Sequence, residues 1–172
     1  MPNWCHNILT LRHENPAMLE KARDAFNEGA LIAAFIPEPD YTKTTVLSDF
    51  PDIAPGPVGP ADAWRHWRAR HWGTRCDVGR EDGMPAAEIN GAQLYLEFDS
   101  AWSPPTGLFL KLAESGFAVC AYYIETGAGV CGFFSNATGD TCHDLPEDPA
   151  RCAEVIPGHV VEALNLPGDW YP

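Results

Sequence analysis

Two strand–helix–strand runs, a proline-led helix in each, and an Asn-Gly hairpin between them predict an α+β fold of the ferredoxin-like, split β-α-β kind. The expected architecture is an antiparallel sheet with two packing helices on one face, an extra hairpin strand and a helical C-terminal tail. Trp4 to Arg12 alternates apolar and polar residues and reads as the first strand. Asn15 then caps a helix with Pro16 at its first position, Met18, Leu19, Ala22, Ala25 and Phe26 recur at helical spacing, and Gly29 stops it. Ala30 to Ile36 reads as a short apolar helix or turn. Residues 51–60 hold four prolines and two glycines, so the stretch from about 37 to 62 reads as an insertion within one domain. Residues 61–71 favour a helix capped by Asp62, and 72–78 are expected to turn into a strand. Asn90-Gly91 marks a hairpin before a run in which Leu94, Leu96 and Phe98 face one side and Tyr95, Glu97 and Asp99 the other. Ser103, followed by Pro104, is expected to cap the second packing helix, which carries Leu108, Phe109, Leu112 and Ala113 and ends at Gly116. Phe117 to Glu125 and Val130 to Ser135 read as strands joined through Gly127-Ala128-Gly129. Residues 1–136 thus form the ferredoxin-like domain, and 137–172 an acidic extension packed on it.

The chain has 172 residues, 24 acidic and 11 basic, for a net charge of −13. Residues 1–86 carry nine basic and 12 acidic side chains, and residues 87–172 carry two basic (Lys111, Arg151) and 12 acidic. The net is therefore −3 in the first half and −10 in the second. Five arginines fall between Arg65 and Arg80. That balance argues against a protein built to hold phosphate backbones, which needs clustered Lys and Arg. No apolar run approaches the ~20 residues of a membrane helix, and the opening MPNWCHN has neither a basic segment nor an apolar core. A cytoplasmic protein of a bacterial host cell is the expectation. The six cysteines are scattered without a C-x-x-C pair, so no metal site and no cofactor are expected.

Four segments carry a family likeness: PNWCHN at 2–7, W-x-x-x-x-WGT-x-x-D at 67–77, DSAWSPP at 99–105 and Y-x-E-x-G-x-G at 123–129. Together, in this order, they resemble the YubB-like family of phage- and plasmid-borne proteins. Cys76 stands where relatives tend to have tryptophan, and the Pro/Gly insertion and acidic tail are features of this sequence. The resemblance implies a ferredoxin-like domain and a mobile-element origin, and brings no activity with it.

Six tryptophans are many for this length. Trp4, Trp72 and Trp102 fall at element ends, where they are expected to staple the sheet. Trp64 and Trp67, with Arg65 and Arg68, have the composition of an interaction surface. The acidic tail, Asp140, Asp144, Glu147, Asp148 and Glu154, is the second candidate contact, for a host protein with a basic surface. Duplex DNA displays one charge per ~1.7 Å, so a charge of ten matches about 17 Å of duplex. An acidic face of that size suits a non-catalytic inhibitor of a CRISPR or restriction nucleoprotein. A small enzyme or ligand-binding protein using Cys5, His71 and Asp77 is the alternative. A single-stranded nucleic-acid module stacking bases on Tyr95 and Tyr123 is a third, opposed by Glu97 and Asp99 on the face of Tyr95.

Overall fold

Strand β1 (Trp4–Arg12) buries Cys5, Asn7, Leu9 and Leu11 and leaves the residues between them more open. That alternation gives it two working faces. The computed structural model describes residues 3–41 and 63–168; the predicted Asp62 cap and the Pro/Gly stretch lie outside them. β1 sits mid-sheet, antiparallel to β3 (Gln93–Ala101) on one side and to β4 (Ala118–Glu125) on the other. With β2 (Ile89–Asn90), β5 (Val130–Ser135) and β6 (Gly139–Asp144), the order is β2-β3-β1-β4-β5-β6, antiparallel throughout.

One face of the sheet is covered by helices. In α1 (Pro16–Asn27), Asn15 Oδ1 accepts from the Ala17 amide at 3.1 Å, and Leu19, Ala22, Ala25 and Phe26 are buried. Gly29 adopts φ +76° just beyond the helix, where a side chain would be strained. Short α2 (Leu31–Phe35) buries Leu31, Ile32 and Phe35. Helix α4 (Thr106–Glu114), which joins β3 to β4 and is preceded in the chain by α3 (Ala63–His71), buries Leu108, Phe109 and Leu112. These residues close over Leu9, Leu11, Leu94, Leu96, Phe98, Val119 and Tyr123 in one core.

The other face has a second, smaller core. Cys152 of α5 (Cys152–Val155), Val160 of α6 (Gly158–Ala163), and Ile156, Leu164 and Leu166 pack on Ile124 and Cys131, with Ile8, Tyr122 and Phe133 half-buried beneath them. The tail therefore roofs the β4–β5 half of this face. The β1–β3 half carries His6, Tyr95, Glu97 and Asp99.

Several expectations give way to local chemistry. Residues 72–78 form no strand, because their side chains bond to backbone elsewhere. Trp72 Nε1 donates to Ile36 O (3.0 Å), Thr74 Oγ1 to Ala101 O (2.8 Å), and Asp77 takes up amides of α2. The second packing helix starts at Thr106, not after Ser103, whose hydroxyl donates instead to Gly73 O at 2.5 Å. Consecutive prolines explain the delay, since a residue before proline is kept out of helical geometry. The tail does not begin as helix: Gly139–Asp144 is the edge strand β6, with a polar composition that hides its pattern. The hairpin closes one residue later than read, with Asn90 paired to Gln93 and Gly91-Ala92 at the turn. Tyr123 is buried on the helix side, away from Tyr95.

Helix α4 is pressed against the end of α3. Gly107 N donates to Trp72 O at 3.2 Å, and a Cβ at 107 would stand 2.0 Å from His71 O. Because that neighbour is backbone, Gly107→Ala is expected to destabilise the fold by about 3 kcal/mol, read from urea unfolding midpoints. Gly129→Ala, where nothing lies near, has a positive φ and serves as the backbone-strain control.

Candidate functional site

The motif residues gather at one end of the sheet, where β1 starts and β3 ends. Trp4 lies opposite Ala101, and the Trp102 amide donates to Asn3 O at 2.8 Å, so the two tryptophans stand side by side in the chain path. Expected as staples, they are instead the exposed ones: 54% for Trp4 and 44% for Trp102, while Trp72 is buried. Trp4 falls on the outward set of the β1 alternation. Trp102 has φ +67°, a left-handed turn that takes it out of the strand. The Arg75 guanidinium lies 4.8 Å over the Trp102 ring.

Beside Trp4 opens a cavity of about 410 Å³, walled by the 76–79 segment, Glu81, Asp99 and Ala101. Asp77 is held there by amides of Ile32 (2.7 Å), Ala33 (3.1 Å) and Val78 (2.8 Å), so it caps α2. Burial raises its carboxyl above the usual range, against the lowering effect of those amides. Asp99 is met by His6 Nδ1 at 3.1 Å, and His6 Nε2 lies 3.3 Å from Glu97. Tyr95 donates to Glu97 Oε2 at 3.2 Å. A second cavity of about 360 Å³ runs along the β3 edge past His6, Tyr95 and Met84.

The three residues of the Cys/His/Asp alternative have separate surroundings. Cys5 is buried, and burial pushes its thiol up to about 12, away from thiolate chemistry. His71 stacks on Trp67 with centroids 4.5 Å apart. Asp77 lines the Trp4 cavity with Cys76, but neither Cys5 nor His71 reaches that cavity. Among the described residues, no group of three or more His, Cys, Asp or Glu side chains is placed to hold a metal.

On α3, Trp67 is partly buried against the main core. It meets Tyr41 and Trp72 edge-on. Arg68 lies between the Trp64 ring (5.1 Å) and the Trp72 ring (4.5 Å) and pairs with Glu38. That pair holds the Glu38 carboxyl below its ordinary range. Arg65 is exposed and lies over Trp64 at 5.2 Å.

The acidic candidates are all exposed. Asp140 accepts from Tyr123 OH at 2.9 Å, Asp148 caps the turn at Pro149–Arg151, and Glu154 pairs with Arg151 at 3.1 Å. Among the described residues, Asp144 and Glu147 show no such side-chain partner. Between Gly139 and Gly168 stand six carboxylates against one cation. Comparison with family models, with curated proteins and with solved structures found no match.

Sequence reasoning missed the Trp4 cavity. The signal was present in the alternation, since Trp4 shares parity with His6 and Ile8 and not with Cys5 and Leu9. Nothing in the linear order brings the 76–81 segment to that strand end.

Two measurements follow from these environments. Iodoacetamide on the native protein at pH 8 is expected to label exposed Cys76 and Cys142 first, with Cys5 and Cys131 protected, as mass spectrometry of peptides would show. For Glu38, the folded carboxyl lies below its ordinary 4.5, so its pairing stabilises above that pH and is lost as pH falls through the lower folded value. Glu38→Gln is therefore expected to unfold more easily than the parent at pH 7, with the gap closing below pH 4.5.

Proposed function

We propose that this protein works by binding, as a non-catalytic accessory protein of a phage or plasmid that docks its acidic C-terminal surface onto a basic surface of a host protein. The observation that carries this reading is the charge of the roof segment: four exposed carboxylates (Glu147, Asp148, Glu154 and Glu162) and one paired cation, fixed on the sheet by Cys152, Ile156, Val160, Leu164 and Leu166, with Asp140 and Asp144 adding acid along the edge strand β6. Fixing matters, because charges on an ordered surface steer a partner and set its register without paying ordering entropy on contact. A host defence nucleoprotein, of a CRISPR or restriction system, is the partner class with the complementary basic groove. The YubB-like motifs support the mobile-element setting. The strand order β2-β3-β1-β4 supports a ferredoxin-like core, to which β5, β6 and the roof are additions.

Asp144→Lys, Glu147→Lys and Glu162→Lys together alter the charge at side chains that make no hydrogen bond among the described residues. In pull-downs from bacterial host lysate, this variant is expected to lose its partner about ten-fold at 0.15 M salt (a scale on the order of that for close charge pairs), and the parent to lose it as salt rises. Recovery of the same partner at the same salt by both proteins would falsify the electrostatic docking model.

A further inference from the structure

The cavity beside Trp4 has the chemistry of a receptor for one kind of side chain. Its lining includes three carboxylates, Asp77, Glu81 and Asp99, and no cation. The neighbouring arginines are engaged elsewhere: Arg75 lies over Trp102, and Arg80 donates to Met84 O at 2.6 Å. Two of the carboxylates are positioned in advance, Asp77 by three backbone amides and Asp99 by His6. Each still has lone pairs to offer, since a carboxylate accepts about four hydrogen bonds.

Trp4 supplies a flat apolar wall, half open to solvent. Among the described residues no ring and no cation is stacked on it. Three other tryptophans lie against guanidinium groups, Trp102 under Arg75 and Trp64 and Trp72 on either side of Arg68. We infer that the Trp4 cavity receives an arginine side chain of the protein partner, the guanidinium lying on the indole and donating to Asp99 and Glu81.

Arginine fits better than lysine because its planar fork stacks on the ring while pairing with carboxylates, and an ammonium does one at a time. Phosphate is repelled by three carboxylates, which sets nucleic acid aside as the occupant. A volume near 410 Å³ lies in the range of about 300–1,000 Å³ usual for cavities that hold small organic groups. The inference deepens the docking reading and rests on it only for the source of the arginine. The preference of the cavity is measurable without any partner.

The probe is the peptide acetyl-Gly-Arg-Gly-amide, with its citrulline counterpart as the neutral isostere and its lysine counterpart as the second cation. Titration is followed by the Trp4 indole N–H resonance, assigned by its loss in Trp4→Phe. Saturable shifts with arginine, weaker ones with lysine and none with citrulline are expected. Asp99→Asn, which keeps the shape, should weaken arginine binding about five-fold, in line with a charge-assisted pair at a half-open site. Equal shifts with arginine and citrulline, or an unmoved Trp4 signal, overturn the inference. So does binding that Asp99→Asn and Glu81→Gln leave unchanged. The tail variant Asp144→Lys, Glu147→Lys, Glu162→Lys separates the two ideas. If it still binds the arginine peptide but keeps its lysate partner at unchanged salt, the docking reading fails and the cavity stands.

Discussion

Strand β1 is paired with β3 along its whole length and with β4 from His6 to Arg12, and the remaining structure is arranged by that double pairing. A strand between two neighbours has no free edge, so its two faces are the only surfaces left to specialise. The Cys5, Asn7, Leu9 and Leu11 face is sealed by three helices. Asn7 is the one polar member, and its amide nitrogen donates to Cys5 O (2.7 Å), Ser100 Oγ (2.9 Å) and Phe98 O (3.3 Å). Those bonds tie β1 to the end of β3, where Trp4 and Trp102 emerge. The opposite face is divided between the apolar roof over Ile8 and the polar strip of His6, Glu97 and Asp99.

How much of this was legible depended on where each residue's partners lie. Strands β1, β3, β4 and β5 and helices α1 and α4 announce themselves because their periodicity is local, and α1 also because its Asn15 cap is adjacent. The segment 72–78 misleads because its β-rich residues bond across the chain, Thr74 to Ala101 and Trp72 to Ile36. Strand β6 was illegible for the opposite reason. At an edge, only its pairing with β5 defines it, and Gly139, Asp140 and Asp144 lack strand propensity. The candidate site was half legible. Composition showed the acids and the motif tryptophans, but which tryptophans are buried is decided by strand parity and by one left-handed residue.

The charge asymmetry also takes on a structural meaning. Several cations of the first half lie along the surface against rings and acceptors of the chain itself. Arg68 is sandwiched between rings, Arg75 covers Trp102, Arg12 donates to Gln93, and Lys21 lies 4.4 Å over Phe35. Apart from buried Glu125, which accepts from the Gly127 and Ala128 amides, carboxylates of the second half face largely outward with few counter-ions. The first-half cations are thus met at the surface by rings and acceptors of the chain itself, while the acid of the second half is offered with few counter-ions.

The Glu38–Arg68 pair and the Tyr41–Trp67 contact bring together residues that flank the chain between 41 and 63. Both ends of that span are anchored by the body of the domain, independently of what runs between them. Closing a longer span over fixed ends costs only about 0.6 kcal/mol per doubling of its length. The position is thereby a tolerant graft point, where lineages can lengthen, shorten or exchange a segment while the sheet, its roof and the tryptophan end stay in register.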